Sequence, residues 1–291
     1  MPRLFVEQLT VIDFSYLDAV RGLVGESWIV DIELEGALDK QGMVFDFGPV
    51  KKQVKAAIDE LVDHRLLIPA DSAGLRELDE RDGFRVRFAL QDGAEIVFSS
   101  PLTGARLVPG ETVTRAAVEA LLIQELRRLM PSNVTDVGVR LRPEVIDGAY
   151  YHYSHGLKKH AGQCQRIAHG HRSRIQVLQD GVRRLDLEQD WAERWRDIYL
   201  GSREDLVARE RRHGEEYWGF AYRAQEGEFE LWLPARRCYL LDTDSTVEHI
   251  AVHIAEVVAR EGSGEQTEVR AFEGVGKGAM ATVRRAASPS S

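Results

Sequence analysis

Residues 86–98 read VRFALQDGAEIVF, and residues 219–233 read GFAYRAQEGEFELWL. Each is an alternating apolar strand, a turn built from an acidic residue and glycine, and a second alternating strand. Each is followed by an amphipathic helix, ETVTRAAVEALLIQEL (111–126) and STVEHIAVHIAEVV (245–258), opened by a hydroxyl residue, Thr112 or Thr246, able to cap the first turn. After each helix comes one more strand that runs to a glutamate, DVGVRLRPE to Glu144 and EVRAFE to Glu273. The chain spells one plan twice, and a repeat of this length sets the architecture before any motif is weighed.

The plan extends upstream. WIVDIELEG (28–36) alternates as a strand, GMVFDF (42–47) follows, and PVKKQVKAAIDELVDH (49–64) places Val50, Val54, Ala57, Ile58, Leu61 and Val62 on one helical face. The matching place in the second half holds RSRIQVLQDG (172–181) and LDLEQDWAERWRDIYL (185–200), with Trp191, Trp195 and Ile198 as the stripe. Each half therefore reads strand, strand, helix, strand, strand, helix, strand. This is an α+β plan of antiparallel sheets with helices segregated to one face. The boundaries are 1–148 and 149–283, joined near DGAYYHYSH without a proline- or serine-rich linker, and the composition of residues 284–291 is that of a disordered tail. GSREDLVARERRHGEEYWG (201–219) reads as an insertion without a counterpart.

The 291 residues are 44% apolar and 29% charged, enough material for real cores, and the formal net charge of −9 argues against nucleic acid or an anionic membrane as the main partner. The first residues carry Glu7 and Asp13 where a signal peptide needs an apolar core, and no run approaches bilayer length, so a cytoplasmic protein is expected. Two cysteines make no disulfide framework. Cys238 alternates with apolar neighbours and reads as a buried structural residue, as do Trp191, Trp195, Trp218 and Trp232 as core. EGVGKGA near the end lacks the context of a phosphate-binding loop.

Chemistry gathers in CQRIAHGHRSRIQV (164–177). Residues two apart on a strand share a face, so His169 and His171 present two imidazoles side by side with Gly170 between them. Zinc in a catalytic site takes three protein ligands and keeps a fourth position open, and the strand YYHYSHGLKKH (150–160) offers His155 as the third, with His152 and His160 as rivals. Beside such an ion and Lys158, Lys159, Arg166, Arg172 and Arg174, the thiol of Cys164 would ionise more readily and act as a base. The same basic residues form either a phosphate dock or a solvated charged face.

The order S-H-G-L, Cys, H-G-H resembles the 6-pyruvoyltetrahydropterin synthase and 6-carboxytetrahydropterin synthase family of T-fold proteins. GMVFDF with VDHRLL (62–67) is similar to the family's glycine, Asp-Phe and Asp-His elements, and TVEHIA (246–251) to its Thr-x-Glu-Asn helix start, with His249 in place of asparagine. The first half shows FSYLDAVRGLVGESWIV (14–30) where metal strands belong, while the second has the metal set but no Asp-His pair. Each copy keeps what the other has lost. The resemblance implies two tandem T-fold domains and a barrel closed by oligomerisation, a family hexamer becoming a homotrimer of this chain. It implies zinc on His155, His169 and His171, catalysis by Cys164 with His64 and Asp63, and a pterin base held by Glu273 or Glu144 with Thr246. It implies 7,8-dihydroneopterin triphosphate as substrate, its phosphates on Arg166 and Arg172, and a 6-carboxy- or 6-pyruvoyl-tetrahydropterin synthase type of lyase reaction. The other reading is a non-catalytic homologue that binds a pterin-like ligand or serves assembly.

Overall fold

The computed structural model describes residues 1–38, 40, 42–44 and 47–285. Strands β1 (Arg3–Asp18) and β2 (Gly22–Gly36) form a long antiparallel hairpin. Its turn is closed by Asp18 Oδ1, which accepts 2.8 Å hydrogen bonds from the backbone of Val20 and Arg21. Helix α1 (Phe47–Val62) leads to β3 (Leu66–Pro69), a meander follows in β4 (Leu75–Asp79), β5 (Phe84–Ala89) and β6 (Glu95–Ser100), and β7 (Ala105–Val108), α2 (Arg115–Leu129) and β8 (Val134–Pro143) complete the half. The second half runs β9 (Tyr150–His155), β10 (His169–Gln179), a short β11 (Val182–Arg183), α3 (Leu185–Arg194), β12 (Ile198–Ser202), β13 (Leu206–Arg212), β14 (Glu215–Ala224), β15 (Gly227–Pro234), β16 (Cys238–Leu241), α4 (Val247–Glu261), β17 (Gln266–Phe272) and β18 (Gly278–Arg284).

Each half builds one sheet, ordered β7-β3-β1-β2-β8 in the first and β16-β12-β9-β10-β17-β18 in the second, where β11 also pairs with β10. The sheets are mixed. β3 pairs parallel to β1 and β7, and β12 pairs parallel to β9 and β16, because a helix or a meander carries the chain back between them. Helices α1 and α2 bury Val54, Ile58, Val62, Val118, Leu122 and Leu126 against Ile12, Phe14, Val24 and Val30, and α4 buries Ile250, Ile254, Val257 and Val258 against Tyr151, Tyr153, Ile175 and Val177.

A third sheet joins the halves, ordered β13-β14-β15-β6-β5-β4. Phe98 pairs with Leu231 at its centre, and beneath it one apolar core takes Leu23, Phe88, Ile96 and Phe98 from the first half with Ile167, Tyr199, Phe220 and Leu231 from the second. The two main sheets also meet face to face. Ser15 Oγ lies 2.7 Å from Ser154 Oγ, and Ser15 pairs with Gly25 as Ser154 pairs with Gly170. A Cβ on Gly170 would stand 2.6 Å from the Gly25 Cα, so only glycine admits this approach of two backbones. Matching ladders thus put equivalent residues opposite one another, as a pseudo-twofold axis through Ser15/Ser154 and Phe98/Leu231 requires.

Several sequence expectations change. The stretch 201–219 is no insertion, because β13 and its turn into β14 answer to β4 and its turn into β5. The cap of α2 is Thr114, whose hydroxyl accepts from Ala117 N–H, rather than Thr112; Thr246 caps α4 as expected. Residues 42–44 form no strand, and Phe45 and Asp46 lie outside the described residues. Arg284 closes β18, an added edge strand, instead of opening a tail; residues 286–291 are outside the described range. Cys238, Trp191, Trp195 and Trp232 are buried, and Trp218 is half-buried against the shared core.

Candidate metal centre and thiol

The antiparallel ladder of β9 and β10 pairs His155 directly with His169, and His171 follows two residues on along β10, so the three imidazoles share one face. All three are buried. Two of the outer nitrogens are aimed at carbonyls and the third stands beside a carboxylate: His155 Nδ1 donates to the Ser245 carbonyl at 3.0 Å, His169 Nδ1 donates to the Arg166 carbonyl at 2.8 Å, and His171 Nδ1 lies 3.2 Å from Asp13 Oδ1. Carbonyls only accept, so the Nδ1 atoms of His155 and His169 carry the protons and their Nε2 lone pairs are left to face inward. The Nε2 atoms of His155 and His171 are 3.2 Å apart. At that distance the two nitrogens either share a proton or flank one ion, and oxygen-braced imidazoles of this kind are the usual surroundings of a metal. The donor set fits a metal ion, and the ligand atoms lie within 4.8 Å of one another. Burial, then the positive field of neighbouring imidazoles, holds His155 and His169 well below the ordinary histidine range, in the neutral form that ligates. The rivals are elsewhere: His152 Nδ1 donates to Gly25 O at 2.7 Å, and exposed His160 accepts from the Gly162 backbone.

The second half does not finish this site. After α1 the chain turns at His64, which holds φ of +53° and is bound through its backbone N–H to Asp13 O. Asp63 Oδ1 accepts from Asp13 N–H at 2.7 Å, and Asp63 Oδ2 lies 2.8 Å from His64 Nδ1. The imidazole of His64 reaches His169, with ring centroids 4.9 Å apart, and lies within ligand distance of the Cys164 thiol. His64, Cys164 and His169 form a second triad whose ligand atoms lie within 4.8 Å. Burial pulls the His64 pKa down, but the hydrogen bonds and charges of Asp63 and Cys164 outweigh it and raise it to about 10. The pair from one half and the thiol from the other therefore meet inside one chain.

Glu273 and Glu144 separate clearly. Glu273 Oε1 is 4.0 Å from His171 Nε2, beside Lys277 Nζ at 3.9 Å. Val30 pairs with Leu141 as Ile175 pairs with Ala271, so Pro143 occupies the place of Glu273 and Glu144 falls one residue beyond. Glu144 lies 3.6 Å from Arg174. The basic residues are each paired within the chain. Arg166 is buried, gripping Glu226 at 2.9 Å and the Asp63 carbonyl at 3.3 Å, so it braces the loop that carries His64. Arg172 donates to the Glu144 carbonyl and lies over the Tyr150 ring, on the strand face opposite His171. Lys158 and Lys159 pair with Asp205, Glu204 and Asp244. Thr246 Oγ1 serves the helix cap; its neighbour Ser245 is the residue that reaches His155.

Sequence reasoning missed Asp13, Ser27, Ser245 and Lys277. Asp13 is nearly fully buried; burial opposes its ionisation, but His171, Lys277 at 3.2 Å and the Ser27 hydroxyl at 2.5 Å hold the carboxyl well below its usual range. The signal was a lone acid inside the apolar run VIDF (11–14).

The family model described as 6-pyruvoyl tetrahydropterin synthase matches residues 15–140. Among solved structures, 6-pyruvoyl tetrahydropterin synthase from Plasmodium vivax is 19% identical over 48% of this chain and 97% of its own, with a TM-score of 0.38. The Plasmodium falciparum enzyme is 16% identical over the same shares, with a TM-score of 0.37. Neither score is high enough to carry an argument. No curated protein matches the chain.

Proposed function

We propose, from the premise that residues 15–140 belong to the 6-pyruvoyl tetrahydropterin synthase family, that this chain is a zinc-dependent pterin synthase-like lyase with one composite site per chain. The observation that carries the reading is the meeting of Cys164 with His64 and Asp63 beside three convergent imidazoles. A binding protein needs no thiol with a proton partner. Zinc, held by His155, His169 and His171, would supply Lewis-acid polarisation of the hydroxyls on a dihydroneopterin side chain. Cys164 removes the proton from the carbon next to them, and His64, oriented by Asp63, exchanges that proton with the thiol. Glu273 accepts two adjacent N–H groups of the pterin ring. The expected substrate is 7,8-dihydroneopterin triphosphate, with phosphates held by groups other than Arg166 and Arg172, and the product is of the 6-carboxy or 6-pyruvoyl type.

The test is turnover of dihydroneopterin triphosphate by the zinc-loaded chain. Cys164→Ala and His64→Gln should each cut kcat by about 10²–10⁴-fold while zinc content stays unchanged. Zinc bound with no turnover, and nothing lost in Cys164→Ala, would favour the second reading, a pterin-binding or assembly protein, which the missing histidines of the first half support. The proposed assembly is a homotrimer, in which pairing between chains would cover the edges β8 and β18. A monomer by light scattering would remove it.

A further inference from the structure

His169 belongs to two triads at once. Its Nε2 converges with those of His155 and His171, and the same residue lies within ligand distance of His64 and Cys164. In the second triad His64 Nδ1 lies 2.8 Å from Asp63 Oδ2 and His169 Nδ1 donates to the Arg166 carbonyl at 2.8 Å, while one ligand atom of each ring lies within 4.8 Å of the thiol. His169 has the outer oxygen partner that fixes a ligand's tautomer, and the Asp63 carboxylate stands beside His64. Cys164 itself is only half-buried and open to exchange.

We infer that Cys164, His64 and His169 form a second metal position, selective for thiophilic divalent ions such as cadmium and mutually exclusive with the three-histidine position. Exclusion follows from the shared ligand, since one Nε2 lone pair serves one ion. Selectivity follows from donor softness: three imidazoles suit zinc, whereas a thiolate with two imidazoles favours a softer ion, whose binding displaces to solvent the protons that the thiol and the His64 ring carry. An ion there would tie up the thiol and its proton partner together, so it would be an inhibitory position for any chemistry that uses them. The inference does not depend on the proposed reaction, because it is read by metal binding alone.

The test is a cadmium titration of the metal-stripped full-length chain, followed by the ultraviolet thiolate-to-cadmium charge-transfer band. One ion per chain should bind with the band present. His171→Ala, which removes only the three-histidine position, should keep the band, and Cys164→Ser should lose it while still binding one ion. His64→Gln should weaken cadmium at least about tenfold, with circular dichroism reporting an intact fold. Cadmium bound without the band, a band that survives Cys164→Ser, or undiminished affinity in His64→Gln would overturn the assignment. Two ions bound at once, zinc and cadmium together, would overturn the exclusivity.

Discussion

Glu26 stands, by strand register, where His171 stands in the other half, since Gly25 answers to Gly170. The counterparts of His155 and His169 are Tyr16 and Val24, neither of which offers a ligand nitrogen. Arg21 instead bridges Tyr16 Oη at 2.9 Å and Asp197 at 2.5 Å, and Asp197 shares the positive φ of His64 at the equivalent turn. An arginine cation has taken over that pocket. Burial raises the Glu26 pKa from 4.5 to about 7, against the Ser27 N–H and the charges of Arg172 and Arg21, which favour the anion. The sign follows. Between pH 4.5 and 7 the folded chain binds a proton that the unfolded chain has released, so Glu26 favours folding below pH 4.5 and that contribution fades as pH rises to about 7. Glu26→Gln should remove a slope worth about 3 kcal/mol across the window, read as the difference between wild-type and variant urea unfolding free energies at each pH. A flat difference curve would disprove it. Asp13 gives a second test at this scale. Asp13→Ala should weaken zinc about 10–100-fold in chelator competition, because His171 loses the acceptor that fixes its ring, with Asp13→Asn recovering part of the loss.

The elements that were readable in the sequence are those whose signal is local. The two hairpins and helices α1, α2 and α4 announce themselves by alternation or by a 3.6-residue stripe, and the buried faces of α1 and α4 are the ones their spacing gives, whereas the stripe of Trp191, Trp195 and Ile198 overran α3, which ends at Arg194 before Ile198 opens β12. β4 and β13 were not readable, since edge strands such as LRELD and LVARERR carry charge on solvated faces and lack a clean apolar alternation. The one-residue offset of Glu144 escaped because counting from a strand end ignores the ladder, and only pairing partners reveal that Pro143 answers to Glu273. Glycine between the histidines was read as room for two rings. Its stronger cause is contact between elements: β10 and β2 approach so closely that a Cβ on Gly25 would lie 2.6 Å from the His171 backbone nitrogen. Gly170→Ala and Gly25→Ala should therefore each cost about 1–3 kcal/mol in denaturant unfolding, at the upper end of overpacking because the obstacle is backbone. Gly93→Ala, with open space around its Cβ but φ of +88°, separates strain from crowding and should cost about 1 kcal/mol. Equal losses at all three positions would mean that close sheet contact is not what the glycines serve.

At the scale of the whole molecule the long-range partners are what no local pattern encodes. Sequence named Asp63 and His64 in one half and Cys164, His155, His169 and His171 in the other, but it gave no sign that β15 would pair with β6 and bring them together within one chain. That pairing also decides how the chain must unfold. Phe98 and Leu231 sit opposite one another on a shared core to which both halves contribute, so neither half can open without exposing the apolar face of its partner. The site repeats the dependence: Asp13 and His64 come from before residue 148, and His155, His169, His171 and Cys164 from after it. The intact chain should therefore melt in one transition with a calorimetric enthalpy equal to the van't Hoff enthalpy, although two repeats would ordinarily permit two. The separated segment 149–285 keeps all three histidines yet loses the β6 neighbour of β15 and half of the shared core, so it should give no cooperative melt by circular dichroism and should associate through its unpaired edge. Two resolved transitions in the full chain, or a monomeric 149–285 segment that melts sharply, would show that the halves are independent domains and that the composite site arises by docking rather than by folding.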